Sequence, residues 1–466
     1  GGSFAFYNLS YTNTAITTAI IAGTNTFNNL SVSGRTTSGI SVVSLSANQT
    51  INGTLTLSAG TDATMRTMVQ SDTIGTTRTL TCASVASLTD IDFRDITIAG
   101  AASPVSGTRL GDCKGNSGIT FPAPKTVYWN QAGGGNWTTT SWATTGGGTP
   151  AVNNFPLAQD TAIVQSTGLN SGNFITISAN FNIGTIDMSA RTSNTMTLAT
   201  GTTTPAIYGN WINGTGTTLT GTGTMTFAGR GSQTITSAGK TFTQSFTINS
   251  PSGSVILQDA FNTSSTSSSY PINSVSGTFD ASSYNVTLSG ASSYGVLSTG
   301  SAFSNTIAVG SGTWTIAAVS NPWNMSNIAR LTVTGTGTLS FTGATAKTFS
   351  GGGLSYSGIT LDQGGAGALT ITGNNTFKNI TNSYSATGAT NINIGTTTQT
   401  LTQWTATGTS GKVLTVQGSS ASSPGTLILN SGTANVDYLN VLGVRAYNLS
   451  STWYAGNNST NSGSLG

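Results

Sequence analysis

Gly337-Thr338-Leu339-Ser340-Phe341 carries the pattern from which the fold of this 466-residue chain is read. A glycine opens the run and apolar side chains then fall two apart, so an extended strand buries one face and wets the other. The same shape returns at Gly53-Thr54-Leu55-Thr56-Leu57, Gly223-Thr224-Met225-Thr226-Phe227, Gly312-Thr313-Trp314-Thr315-Ile316 and Gly367-Ala368-Leu369-Thr370-Ile371. A second module sets Thr-Phe after Asn or Lys, as in Asn25-Thr26-Phe27, Lys240-Thr241-Phe242, Lys347-Thr348-Phe349 and Asn375-Thr376-Phe377, and its Phe is expected inside the core. Gly, Ser, Asn and Thr, the residues of turns, separate the modules.

Units this short cannot bury a face alone, but stacked turn upon turn they make a continuous core, with insertions pushed outward. The expected fold is all-β: an elongated right-handed parallel β-helix, or β-solenoid. A chain of tandem β-sandwiches of about 100 residues each is the alternative, and the absence of clear linkers counts against it. Parallel stacking also gives the Asn, Ser and Thr residues a use, because equivalent positions in successive coils can form hydrogen-bonded ladders.

Composition agrees. Only 6% of residues are charged, against about 25% in ordinary globular chains. All 12 acids are Asp, and there is neither Glu nor His. Stiff β-branched Thr, Val and Ile suit a pleated surface, whereas the scarce Glu and Lys are helix formers. Without His, Ser-His-Asp and Cys-His chemistry is excluded, and no metal site or cofactor is expected. The net charge of +3, with no basic run, gives nucleic acid little to hold. No apolar stretch is long enough to span a bilayer. The opening Gly1-Gly2-Ser3-Phe4 has neither an initiator Met nor a signal core, so the chain reads as a piece of something longer. Cys82 and Cys113 lie 31 residues apart and are a disulfide candidate, with buried or unpaired thiols as the other readings.

One segment breaks the rhythm. Tyr128-Trp129-Asn130, Gly133-Gly134-Gly135-Asn136-Trp137 and Ser141-Trp142 place three Trp within 14 residues. The chain therefore divides into an N-terminal solenoid stretch over 1–125, a Trp/Gly-rich junction over 126–165 and a main stretch over 166–466. At the junction the indoles serve to plug the core; the functional reading makes Tyr128, Trp129, Trp137 and Trp142 a stacking platform for sugar rings.

This Tyr-Trp…Gly-Gly-Gly-Asn-Trp…Ser-Trp segment resembles a motif of large repetitive proteins from aquatic bacteriophages and of some bacterial surface adhesins. Further matching segments are Asp90-Ile91-Asp92-Phe93-Arg94-Asp95-Ile96-Thr97, Gly111-Asp112-Cys113-Lys114-Gly115-Asn116-Ser117-Gly118-Ile119 and Phe155-Pro156-Leu157-Ala158-Gln159-Asp160. Asp437-Tyr438-Leu439-Asn440 and Trp453-Tyr454-Ala455-Gly456-Asn457-Asn458-Ser459-Thr460 look like the tail of such proteins. The resemblance implies a β-helical virion component, such as a tail fibre, or another surface appendage.

Some fibres of this kind depolymerise host glycans, and the acid/base candidates here are Asp90, Asp92 and Asp95, with Arg94, Arg109 and Asp112 nearby. Carboxylates about 5 to 9 Å apart can act as acid and base on a glycosidic bond. In a strand, Asp90, Asp92 and Arg94 share one face, while Asp95 interrupts the apolar face of Ile91 and Phe93, so a bulge or corner is expected there. The competing reading is a salt-bridged cluster with Arg109, Asp112 and Lys114. The function expected is that of a structural and adhesive fibre, extracellular or on a virion surface, with other subunits, further copies and a cell-surface glycan as partners. A glycan-depolymerising fibre and a secreted adhesin or autotransporter passenger are the alternatives.

Overall fold

The computed structural model describes residues 3–12, 14, 18–265, 270–290, 293–300, 302–325, 328–448 and 450–464. The chain is all-β and about 2% helical, and its strands stack as parallel coils into a β-solenoid of about 18 turns. Every strand pair with a described register is parallel except Thr126–Trp129 with Trp142–Ala143. Sandwiches are built from antiparallel strands, so the tandem-sandwich alternative is set aside. Two compact units form, Gly1–Lys240 with Asn249–Val255, and Thr241–Ile248 with Ile256–Gly466.

In the first unit, coil stacking sets like on like. Leu9, Leu30, Leu55 and Val85 make one column, and Ala19, Val43, Val69 and Phe93 make another in the adjoining sheet. These ladders end at Ile96–Ala99 and Gly111–Asp112, and a third, short ladder of the same stretch ends at Ile119–Thr120. A separate stack begins at Thr126–Trp129, with the column Val127, Ala162, Ile186, Trp211 and Ile235. In the second unit Val286, Trp314, Leu339, Leu361, Ile380 and Trp404 form a column of six. Each column removes apolar surface from water at roughly 25 cal/mol per Å².

Both sequence modules land on strands with their apolar residues buried. The Phe rings stack on rings of the preceding coil, Phe27 on Phe6 at 5.4 Å, Phe349 on Trp323 at 6.2 Å and Phe377 on Tyr356 at 5.3 Å. The opening glycines answer to the coil below as well as to the turn. A Cβ at Gly337 would sit 2.2 Å from the Gly312 carbonyl oxygen, and one at Gly312 would sit 2.3 Å from that of Tyr284.

The polar ladders are bonds from one coil to the next. Asn25 Nδ2 donates to the Ala22 and Gly23 carbonyls and to Gln49 Oε1, while Gln49 Nε2 returns to the Gly23 carbonyl. The same corner recurs in the second unit: Asn375 Nδ2 donates to Thr372, Gly373 and Gln399 Oε1, and Gln399 Nε2 donates to Gly373. Outside the core, Oδ1 of Asn48, Asn180, Asn210, Asn285 and Asn374 accepts the backbone N–H of Thr79, Thr204, Thr234, Thr313 and Thr398, one coil on. Buried polar corners are tolerated because they are paired in this way.

Candidate functional site

The charge concentration lies in the first unit. Strand Ile91–Arg94 turns Ile91 and Phe93 into the core. The corners expected from the broken pattern are present, since Asp90 and Asp95 adopt φ of 59° and 55°, a left-handed geometry that Asp tolerates better than most residues. Asp92 Oδ1 accepts from Arg66 Nε and Nη2 at 2.9 and 2.6 Å. Asp90 Oδ1 accepts from Arg66 Nη1 at 3.2 Å, and its two oxygens take Arg109 Nε and Nη2 at 2.7 and 2.6 Å. Both oxygens of Asp95 accept from Arg230 Nη2, at 2.6 and 2.7 Å, and Oδ2 also takes the Gly75 N–H at 2.8 Å. Gly111 and Gly115 leave room for this network, because a Cβ at either would lie 2.0 Å from Oδ1 of Asp92 and Asp95 respectively.

A second stretch of the solenoid covers the network. Asn182 Nδ2 donates to Asp92 Oδ2 at 2.9 Å and also lies 3.3 Å from Met68 Sδ. Gln159 donates to the Leu110 carbonyl and accepts the Asp112 N–H, both at 2.9 Å. Met68, Cys113, Ala158, Tyr208 and Ala228 form an apolar cluster between them. Gln159, Asn182 and Arg230 reach Leu110, Asp92 and Asp95 in turn, so within this unit the two stretches lie side by side. The segments 90–97, 111–119 and 155–160, apart in sequence, meet at this joint.

Asp90, Asp92 and Asp95 thus form ion pairs with Arg66, Arg109 and Arg230, and Asp112 with Lys114, as the salt-bridged reading has it, and this placement corrects the acid/base alternative. Each is 1% exposed, and their oxygens are occupied by arginines, Asn182 and a backbone N–H, so no glycosidic bond has access to them. Their partners Arg66, Asn182 and Arg230 escape a local reading because they lie 26, 90 and 135 positions away. A buried ion network of this kind adds little net stability over an apolar core, yet losing one member is costly.

The platform expectation is corrected as well. Trp129, Trp137 and Trp142 are buried and pack edge to face, with Trp142 Nε1 donating to the Trp137 carbonyl at 3.0 Å. They offer no face to a sugar ring, and Tyr128 alone of the four is half-buried. Strand Trp142–Ala143, antiparallel to Thr126–Trp129, closes the end of the parallel ladder; open strand edges invite unwanted pairing. Lys125 bonds Asp160, which also accepts the Leu157 N–H, tying this cap to the 155–160 segment.

Cys82 and Cys113 are both free and buried, which corrects the disulfide candidate. Cys82 belongs to the core of the first stretch, whereas Cys113 belongs to the cluster at the joint. Burial pushes the Cys82 thiol up to about 12 and raises that of Cys113 well above its ordinary value, so both stay protonated and unreactive. In the second unit, Lys347 Nζ is buried and donates to the Gly343 and Gly367 carbonyls. Burial lowers its pKa to about 8, against the opposing pull of Asp362.

No protein-family model matches the chain, nor does any curated protein or solved structure. Among the described residues no helix is long and apolar enough to cross a membrane. By its fold the chain is a parallel β-solenoid.

Proposed function

We propose that the chain is a structural and adhesive component of an extracellular or virion surface, resembling a tail fibre, which contacts a cell-surface glycan and further copies of itself or other subunits. The observation that carries this reading is the fate of its charge: the densest cluster is an internal joint, while the repeating coils expose mainly hydroxyl and amide side chains. A surface of low charge approaches neutral surfaces and like chains without strong repulsion. Parallel ladders bonded coil to coil give a scaffold that holds such a surface in one shape.

The test incubates the purified chain with whole host cells and with their isolated envelope polysaccharide. Sedimentation with cells and no release of reducing sugar is the expected result. Release of reducing sugar by the parent chain would overturn the proposal in favour of a depolymerase.

A further inference from the structure

The tail segments 437–440 and 453–460 come together in the second unit. Strand Ser451–Tyr454 pairs in parallel with Gly432–Asn435, setting Tyr454 beside Asn435. The turn that follows folds over Asp437. Asn458 donates to its carboxylate from N at 3.0 Å and from Nδ2 at 2.7 Å, and the Tyr438 N–H adds a bond of 2.8 Å. Thr407 grips the Asp437 backbone on both sides, donating to its carbonyl at 2.7 Å and accepting its N–H at 3.0 Å. These donors, Asn458 foremost, hold the Asp437 carboxyl below its ordinary range, so it is ionised at neutral pH. Between these groups opens a cleft of about 360 Å³, lined by Thr407, Asn435, Asp437, Tyr454, Asn457 and Asn458.

We infer that this cleft binds a saccharide, a neutral sugar ring carrying adjacent hydroxyls; the inference rests on the adhesive reading above and names its ligand class. Stitching the turn employs Asp437, Asn458 and Thr407. It leaves Tyr454 54% exposed, with Asn435 and Asn457 also exposed on the cleft wall. A tyrosine ring offers an apolar face to the C–H face of a pyranose and keeps a polar tip. Amides both donate and accept, and Asp437 Oδ2, which takes one bond from Asn458 Nδ2, has room for one charge-assisted bond from a hydroxyl beside them. The ionised group in the lining is an anion, and no Lys or Arg lines the cleft, so acidic sugars are repelled.

The full chain is titrated with the methyl glycosides of glucose, galactose and mannose, with methyl glucuronoside, and with calcium chloride, by saturation-transfer NMR and intrinsic fluorescence. At least one neutral glycoside is expected to bind, and Tyr454→Ala and Asn457→Ala each weaken it by roughly three- to tenfold. Unchanged urea midpoints in both variants establish that the fold is intact, as befits exposed positions. The inference is overturned if no neutral glycoside binds, if both variants bind like the parent, if the glucuronoside binds more tightly, or if calcium occupies the cleft instead. Cell adhesion that survives Tyr454→Ala removes this site and leaves the adhesive reading standing, whereas a chain that sediments with no cells removes that reading itself.

Discussion

Replacing Asp92 by alanine should unseat the joint within the first unit. The carboxylate takes two bonds from Arg66, at 2.9 and 2.6 Å, and one from Asn182 at 2.9 Å. Arg66 is 2% exposed, so the guanidinium left behind keeps Asp90 and the Ala63 and Arg109 carbonyls but cannot turn to water. Removing one partner of a buried pair costs about 3–5 kcal/mol. Urea unfolding followed by tryptophan fluorescence reads this directly, since Trp129, Trp137, Trp142 and Trp211 all lie in the stretch that docks on the network. The double variant Arg66→Met with Asp92→Leu, which removes charge on both sides, should recover to within about 1–2 kcal/mol of the parent. Raising salt from about 0.1 to about 1 M should move the parent's midpoint little through these pairs, because buried pairs are weakly screened. A loss under about 1 kcal/mol for Asp92→Ala, or a double variant that loses as much as both single variants together, would show that the Arg66–Asp92 pair does not hold the joint.

Three further outcomes follow from the second unit. Gly337→Val should destabilise by about 1–3 kcal/mol, because its Cβ would lie 2.2 Å from the Gly312 oxygen, and thermal unfolding measures it. Asn375→Ala strands Gln399 Oε1 and the Gly353 N–H and should cost about 1–3 kcal/mol, whereas alanine at the exposed Asn391 should cost under about 0.5 kcal/mol. Lys347 has a folded pKa of about 8 against an ordinary 10.5, so between these values the unfolded chain binds more protons and stability rises with pH. Lys347→Met should lack that rise; pH-stability curves of parent and variant that run parallel from about 8 to 10.5 would contradict the assignment.

What the sequence discloses and what it conceals divide along one physical line. Alternation within Thr338–Phe341 or Thr313–Ile316 is local, and stacking follows because a four-residue strand has no other way to bury Leu339 or Trp314. The corner at Asp95 is legible for the same reason, as a polar residue where the apolar face should continue. The side-by-side packing of two stretches is not legible, because it depends on Asn182 and Arg230 reaching back 90 and 135 positions, outside any repeat. That distance also explains why Asp90, Asp92 and Asp95 look like an exposed acid/base set when read along their own strand. The indoles are legible as a plug, because the first coil of a stack needs bulky side chains to close its core, and only the platform reading that the glycines around Trp137 suggest falls away.

Immunogold electron microscopy of the native particle or cell that carries the chain tests the adhesive surface assignment most directly. Gold is expected on the outer surface, at an appendage or exposed face, on intact unpermeabilised specimens. Label confined to the interior, or appearing only after the specimen is broken open, would contradict it.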